Sequence, residues 1–290
     1  MKTGLVLEGG AMRGMFTAGA LDVLMEQGVA FDGVMGVSAG AALGCNYKSR
    51  QIGRALRYNQ RFCRDWRYCS FRSLLLTGDL YGADFAYRRV PEELDPFDTV
   101  TYQAHPSRFW VVCTNAATGA PIYHECTRGD REDITWIRAS ASMPGVSRMV
   151  WLDGMPLSDG GTSDSIPLLQ MQSMGFDRCV VILTQPAGYV KQPNQLLPLL
   201  RLPLRRYPAL VEALRTRHLH YNDTLREIAR QEAEGRILVL RPEAPLNIGA
   251  VCHDPEEMGR VYRLGQAQMT RQLDAVKAFL SPAQEAQRSS

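Results

Sequence analysis

Two consecutive units, each an apolar strand followed by a glycine-rich turn and a helix, constrain the fold of this chain more than any other feature. The first unit spans residues 3–27, and its turn reads Gly-Gly-Ala-Met-Arg-Gly from Gly9 to Gly14. The second spans residues 31–48, and its turn reads Gly-Val-Ser-Ala-Gly from Gly36 to Gly40. Strands that alternate with helices through tight turns are typical of a parallel sheet. The pattern therefore predicts an α/β fold with a mainly parallel central sheet flanked by helices.

The rest of the chain continues this alternation. Short apolar runs predict further strands at 109–113, 121–125, 179–184 and 236–241. Helical periodicity predicts helices at 51–65, 131–141, 165–174, 208–233 and 255–280. With 45% hydrophobic and 22% charged residues, the composition is that of a globular protein with a sizeable core. We expect one α/β domain over residues 1–185 and a mainly helical extension over residues 186–290 that packs on it.

The second glycine turn has the form G-x-S-x-G and places Ser38 between a predicted strand and a predicted helix. In this setting a serine lies on a sharp bend, with its hydroxyl exposed at the carboxyl edge of the sheet. Gly36 and Gly40 leave room for the bend, and the helix that follows directs free N–H groups toward the same point. The motif therefore predicts that Ser38 is a nucleophile.

The first glycine turn predicts a site for the negative charge that forms when a serine attacks an acyl carbonyl. Its consecutive backbone N–H groups could donate hydrogen bonds to that oxyanion. A rival interpretation is a dinucleotide-binding turn, G-x-G-x-x-G, followed by an acid at the end of the next strand. Ala11 replaces the second glycine of that fingerprint, and Ser38 holds the place of the acid. We therefore favour the oxyanion interpretation.

The general base for Ser38 is less clearly marked. His218, His220 and His253 fit the chain order serine, acid, histidine, but none lies in a segment typical of a catalytic loop. Asp159, directly before two glycines, could approach the serine hydroxyl itself. Asp153 is an alternative acid, although its position before Gly154 is typical of an ordinary hairpin turn. Asp159 is thus the better candidate.

Taken together, these motifs resemble those of the patatin-like phospholipases, including bacterial members. The resemblance rests on the loop from Gly9 to Gly14, the turn around Ser38, and Asp159 with Gly160 and Gly161, in that order. It covers residues 3–185, and the remainder is similar to the variable carboxy-terminal part of bacterial relatives.

This resemblance implies a three-layer fold and a Ser–Asp dyad without a catalytic histidine. Ser38 carries over as the nucleophile and Asp159 as the general base, and the oxyanion hole falls on Gly9, Gly10, Ala11, Met12, Arg13 and Gly14. Arg13 would brace the loop or add positive potential. The family often has a third glycine where this chain has Ala11, so we expect the hole to function if φ stays negative there. The implied reaction is hydrolysis of lipid acyl esters by a phospholipase A, lysophospholipase or esterase through an acyl-enzyme, and it requires no metal or cofactor.

Charge is concentrated in one proline- and leucine-rich segment, residues 188–220, which holds six basic residues and one acid in a chain of net charge +3. Prolines at 193, 198, 203 and 208 predict a loop or short turns before the helix at 208. One interpretation is peripheral contact with a membrane, through leucines and arginines. The other is a linker that packs its leucines on the core. A charge of +3 does not favour a nucleic-acid partner.

The sequence leaves cellular location and reaction outcome less constrained. We expect a cytoplasmic protein, with or without peripheral membrane contact, because no export signal or run of about 18 apolar residues is present. Seven cysteines without a Cys-x-x-Cys pair predict reduced thiols and no zinc site. Besides hydrolysis, two alternatives remain. The same nucleophile could serve an acyltransferase, or the chain could be an inactive lipid-binding or regulatory module.

Overall fold

The computed structural model describes residues 1–281, and within them eight strands form a single sheet. In chain order the strands are β1 (Lys2–Leu7), β2 (Gly33–Val37), β3 (Arg108–Asn115), β4 (Pro121–Glu125), β5 (Val150–Leu152), β6 (Met155–Asp159), β7 (Phe176–Ile182) and β8 (Ile237–Leu240). Strands β3, β2, β1, β7 and β8 are neighbours in that order and run parallel. Strands β4 and β6 pair antiparallel with β3, and β5 pairs antiparallel with β6. The predicted mainly parallel α/β sheet is confirmed.

Helices cover both faces of this sheet. They are α1 (Gly14–Glu26), α2 (Ala39–Lys48), α3 (Arg54–Phe62), α4 (Phe71–Thr77), a π-helix (Phe85–Leu94), α5 (Thr99–Ala104), α6 (Arg131–Ser140), α7 (Leu168–Ser173), α8 (Leu197–Leu200), α9 (Pro208–Ala233) and α10 (Pro255–Leu280). Because side chains alternate along a strand, Leu5 and Leu7 join the larger core, which includes α1, α2, α6 and α10. Val6 joins a second core with residues of α7 and α9.

The register of β3 brings two strand ends together. Val112 of β3 pairs with Val37 at the end of β2, and the next residue, Cys113, pairs with Asp159 at the end of β6. Strand β4 occupies the other edge of the same β3 residues. Consequently β2 and β6 approach each other along one edge of β3, and the residues that follow or end them become neighbours.

The carboxy-terminal part of the chain is built into the same sheet. Strand β8 pairs with β7, and α10 crosses α1 at close range. A Cβ atom at Gly19 would overlap the carbonyl oxygen of Tyr262, and one at Gly265 would overlap that of Phe16, so only glycine allows this approach. The Tyr262 hydroxyl also donates to Asp22 at 2.5 Å. Residues 186–281 therefore pack on the first part and add an edge strand to its sheet. The last nine residues of the expected extension, 282–290, lie outside the described part.

Most predicted elements match the structure, but strands β5 and β6 and three helices between residues 71 and 104 were not predicted. The helices predicted at 208–233 and 255–280 have those bounds, and short turns with α8 precede residue 208 as expected from the prolines. The helices at 71–77, 85–94 and 99–104 were not predicted; two are short, and the π-helix contains Pro91. All seven cysteines are free, and six are buried. Among the helices of residues 1–281, none combines the length and apolar character needed to cross a bilayer.

Candidate active site

Ser38 lies at the junction of β2 and α2 in a strained backbone conformation, with φ 53° and ψ −117°. A Cβ atom at Gly36 would lie 2.6 Å from the Gly40 oxygen, and one at Gly40 would lie 2.5 Å from the Leu7 oxygen. The two motif glycines are therefore required by close backbone contacts. The Ser38 N–H donates to Ser140 Oγ at 2.9 Å, and Ser140 Oγ in turn donates to the Val112 oxygen at 2.6 Å. This chain of bonds fixes the bend to α6 and β3.

Asp159 ends β6, and its carboxylate meets the Ser38 hydroxyl. Ser38 Oγ donates to Asp159 Oδ2 at 2.6 Å, and the Gly161 N–H donates to Oδ1 at 2.7 Å. Only 5% of Asp159 is exposed, and this burial raises the pKa of its carboxyl group. The positive charge of Arg217 and the bond from Ser38 act in the opposite direction. The arrangement is a buried carboxylate held in place by one bond and directed at a serine by the other.

Only part of the first glycine turn presents free N–H groups beside Ser38. The Gly9 N–H donates to the Ser165 oxygen, the Arg13 N–H to the Gly10 oxygen, and the Gly14 N–H to carbonyls of the turn. Within residues 1–281 the N–H groups of Gly10, Ala11 and Met12 have no acceptor, and neither does that of Ala39 after the serine. A Cβ at Gly9 would lie 3.2 Å from that of Ser38, which places the turn against the serine.

Ala11 does not meet the condition of a negative φ that the sequence analysis placed on it. Its φ is +47°, in the left-handed region, and not negative as the oxyanion interpretation assumed. Because the turn must reverse before α1 begins, the backbone takes this conformation although alanine disfavours it. The N–H of Ala11 is nevertheless unbonded, so the strain does not remove a donor from the turn.

An apolar cavity of about 100 Å³ opens beside Ser38. One side is formed by Ala11 and Met12 of the first glycine turn and by the first half of α2, and the opposite walls come from α3, the π-helix and α6. Its lining includes Ala11, Met12, Ala42, Leu43, Tyr58, Tyr87, Val90, Phe97, Ile134, Ile137 and Met143. The shape and apolar lining suit a hydrocarbon chain that ends at Ser38. The sequence predicts α3 and α6 but not that they face Ser38, and it does not predict the π-helix, so these walls were not identified from the sequence.

The alternative bases do not reach Ser38. Asp153 is exposed in the turn between β5 and β6, where both it and Gly154 have positive φ. His253 Nδ1 contacts the Cys63 oxygen at 2.5 Å, and His220 is exposed. Within the described chain neither they nor His218 hydrogen-bonds to Ser38 or Asp159.

A different group of side chains could hold a metal ion. One ligand atom each of His124, Cys126 and Asp133 lies within 4.8 Å of the others. Asp133 Oδ2, however, already accepts the N–H groups of Arg128 and Gly129 at 2.7 and 2.6 Å. The His124 ring stacks on Trp136 with centroids 3.8 Å apart. These residues have structural roles, and none of them hydrogen-bonds to Ser38 or Asp159.

The leucine- and arginine-rich segment divides between packing and exposure. Leu197 and Leu204 are buried with Leu210 and Leu214 of α9, as the linker interpretation expects. Leu196, Leu199 and Leu202 are instead 61–73% exposed. Arg201, Arg205 and Arg206 are also exposed, and within residues 1–281 no carboxylate forms an ion pair with them. The segment thus exposes three leucines and three arginines while its other leucines are buried.

Comparisons with known proteins find relatives of this chain. Residues 5–171, more than half of the chain, match the family described as patatin-like phospholipase, and residues 207–281 match a domain of unknown function (DUF6363). The uncharacterized protein YjjU of Escherichia coli is 29% identical over 267 residues, covering 90% of this chain and 74% of that protein. Lysophospholipase nte1 of Aspergillus oryzae is 27% identical over 181 residues, which are 60% of this chain and 11% of that much longer protein. Among solved structures, VipD of Legionella pneumophila aligns at 14% identity with a TM-score of 0.46, covering 94% of this chain and 67% of that one.

Proposed function

This chain belongs to the patatin-like phospholipase family, and from that premise we propose that it is a serine acyl hydrolase that cleaves lipid acyl esters through a Ser38–Asp159 dyad. The observation that carries the proposal is the 2.6 Å hydrogen bond from Ser38 Oγ to Asp159 Oδ2, beside an apolar cavity and unbonded N–H groups. Lysophospholipases among the relatives favour a lipid acyl ester as the substrate.

The first half of the reaction forms an acyl-enzyme. Asp159 Oδ2 accepts the proton of Ser38 Oγ while that oxygen bonds to the ester carbonyl carbon. The carbonyl oxygen becomes an oxyanion, and the free N–H groups of the glycine turn and of Ala39 are the donors that would stabilise it. When the carbonyl re-forms, the bond to the alcohol breaks, and the alcohol takes the proton from Asp159.

The second half releases the fatty acid. Water gives a proton to Asp159 and attacks the acyl carbon; the bond to Ser38 Oγ then breaks, and that oxygen recovers the proton. An ordinary aspartate, with a pKa of about 3.9, is a weak base. Burial raises the pKa of Asp159 and excludes water from its surroundings, and both effects improve proton transfer. The acyl chain stays in the apolar cavity throughout, so the site holds the reacting carbon near both groups.

The first test combines turnover with labelling of the nucleophile. Wild-type protein should hydrolyse a chromogenic acyl ester and should be labelled by a fluorophosphonate probe. Ser38→Ala should lose both properties while its thermal unfolding stays that of the wild type. Hydrolysis at the wild-type rate by Ser38→Ala would overturn the proposal. A wild-type protein that takes no label and releases no fatty acid would favour the binding module. Product analysis with glycerol present would reveal transfer, since an acyltransferase forms a new ester in place of fatty acid.

Access to lipid is the second part of the proposal. We infer that exposed Leu196, Leu199 and Leu202 enter the outer region of a membrane while the neighbouring arginines meet anionic headgroups. Leu200 anchors this surface against Gly145, two residues from Met143 in the cavity wall. The surface therefore adjoins the cavity that would receive an acyl chain.

Liposome sedimentation tests this contact. Wild-type protein should sediment with anionic vesicles more than with neutral ones, and added salt should reduce the difference. Leu199→Ser combined with Arg205→Gln should release the protein from anionic vesicles. Arg215→Gln, which removes an arginine paired with Glu212, should leave it bound. Equal sedimentation with both vesicle types would favour the linker interpretation.

A further inference from the structure

Two cations that come from the carboxy-terminal part of the chain lie beside the dyad, and we propose that Lys191 and Arg217, together with Arg13, bind a phosphate group on the alcohol portion of the ester. The substrate class is then an acyl ester of a phosphorylated alcohol, such as a glycerophospholipid or lysophospholipid. This inference rests on the proposed function and adds to it the recognition of the leaving group. Lys191 and Arg217 both lie beyond residue 171, where the family match ends.

Arg217 approaches the dyad from α9 with unused hydrogen-bonding capacity. A Cβ at Gly161 would lie 3.0 Å from both Arg217 Nη2 and Asp159 Oδ1, so the guanidinium is close to the carboxylate without pairing with it. Its single side-chain partner within residues 1–281 is Ser165 Oγ, at a long 3.5 Å. The Nε of Arg217 is buried and has no partner. A buried guanidinium donor without an acceptor is unfavourable, and an anionic ligand would satisfy it.

Lys191 reaches the same place from the loop before α8. Its backbone N–H donates to Asn222 Oδ1 at 2.8 Å, and Asn222 Nδ2 donates back to the Lys191 oxygen at 3.0 Å. Its ammonium lies 4.7 Å from the centre of the Tyr221 ring. Because Tyr221 follows Arg217 by one helical turn, the two cations share one side of α9. Burial and the positive charges of Arg217 and Arg13 lower the pKa of Lys191 to about 8.

The nearby carboxylates do not neutralise this group. Glu8 is buried, but its oxygens accept from uncharged donors: the Tyr221 hydroxyl at 2.5 Å, the Thr184 N–H at 2.5 Å and the Thr184 hydroxyl at 3.1 Å. Arg13 Nε contacts Thr184 Oγ1 at 3.4 Å. None of the three cations is within ion-pair distance of a carboxylate in residues 1–281, whereas nearby Arg215 pairs with Glu212 at 2.6 Å. Three cationic side chains thus lie in this region without a carboxylate partner in the described residues.

The position of the cations fits a leaving group. None of Lys191, Arg217, Gly161 and Ser165 lines the apolar cavity, although Ser38 does. When the acyl chain of an ester fills that cavity and its carbonyl carbon lies at Ser38, the alcohol portion must lie outside the cavity. The cationic group next to Asp159 Oδ1 offers the alcohol portion a polar environment. Guanidinium and ammonium groups both form charge-assisted hydrogen bonds with phosphate oxygens.

Paired substrates test this directly. Monohexanoyl glycerol phosphate and monohexanoyl glycerol carry the same acyl chain and differ in the phosphate. Wild-type protein should have a higher kcat/KM for the phosphorylated ester. In Lys191→Gln and in Arg217→Gln the ratio of the two kcat/KM values should fall by about tenfold, the effect of losing one charge-assisted contact. Arg215→Gln on the same helix is the matched control and should keep the wild-type ratio.

The outcomes separate the inference from the proposed function. If both esters lose activity equally in Arg217→Gln and Lys191→Gln, these residues only support Asp159, and phosphate recognition is refuted while the hydrolase stands. If wild-type protein cleaves neither ester and Ser38 takes no fluorophosphonate label, the proposed function itself fails. Inorganic phosphate and glycerol phosphate should each inhibit hydrolysis of the neutral ester, with glycerol phosphate the stronger. Stronger inhibition by inorganic phosphate, without preference for the phosphorylated ester, would mark a site for the free ion and overturn the assignment.

Discussion

Replacing the carboxylate of Asp159 by an amide separates its chemical role from its structural one. In Asp159→Asn the amide oxygen can still accept the Gly161 N–H, which lies 2.7 Å from Oδ1 in the wild type. The amide nitrogen replaces Oδ2, 2.6 Å from Ser38 Oγ, and it donates where the carboxylate accepted. The change therefore keeps the turn and removes the proton acceptor.

The expected loss of activity follows from this geometry. No histidine of the described chain hydrogen-bonds to Ser38, so no other side chain is placed to take the proton. A positioned general base contributes about 100- to 10,000-fold in rate, or about 3–5 kcal/mol of transition-state stabilisation. We expect kcat to fall within that range while KM changes little, because the apolar cavity is untouched.

The stability of the same variant should change in the opposite sense. Burial raises the pKa of Asp159, which means that the charged form is disfavoured in the folded protein at neutral pH. An uncharged amide of the same size avoids that desolvation, so the free energy of unfolding at neutral pH should stay equal or increase. Urea unfolding measured beside kcat tests both statements.

Asp153→Asn is the matched control for this experiment. Asp153 is exposed with φ 50°, a conformation that asparagine also tolerates, so kcat and unfolding should both stay at wild-type values. Retention of more than about one third of kcat in Asp159→Asn would refute its assignment as the base, given the loss of at least about 100-fold expected for one. A fall in kcat that merely follows a loss of folded protein would refute it as well.

Three further predictions concern pH and backbone geometry. Because burial raises the pKa of Asp159 in the folded protein, activity should be lost as pH falls through this raised pKa, which lies above the ordinary aspartate value of about 3.9. The stability contributed by protonated Asp159 is full below about pH 3.9 and is lost as pH rises through the raised pKa. With rising pH, kcat/KM should therefore increase while the stability of the wild type relative to Asp159→Asn, measured by urea unfolding, should decrease. Ala11→Gly should raise the free energy of unfolding by up to about 1 kcal/mol, because glycine adopts the φ of +47° without strain, and a loss of stability would show that the methyl group contributes more by packing. Gly265→Ala places a methyl group on the Phe16 oxygen and should destabilise by about 1–3 kcal/mol in urea unfolding as α1 and α10 separate, while unchanged stability would mean that the crossing is looser than described.

Local sequence patterns were sufficient for the parallel strands of the sheet and for singling out Ser38 and Asp159, which the structure joins by a hydrogen bond. Strand and helix periodicity located most elements, and the glycines around Ser38 marked a bend whose geometry depends on neighbours close in sequence. Ser140, which bonds to the Ser38 N–H across 102 residues, had no local signal of its own. The positive φ of Ala11 was also hidden, since its sign depends on how the turn meets Thr184 and α1. Residues that act through tertiary contacts cannot be recognised from the pattern around them.

The same reasoning explains why the sequence predicts only an appended helical extension for the carboxy-terminal part. Its helices have ordinary amphipathic patterns. Such a pattern predicts that a helix packs against another element, but it does not identify that element. In the structure β8 completes the parallel sheet, α10 requires glycine where it crosses α1, and Arg217 of α9 lies beside the Gly161 that holds Asp159. The part of the chain that matches the patatin-like family contains Ser38, Asp159, Arg13 and the unbonded N–H groups, while the part beyond it contributes Lys191 and Arg217. Substrate preference in this chain can therefore differ from that of relatives with the same two residues, because Lys191 and Arg217, which we propose contact the leaving group, lie outside the shared motifs.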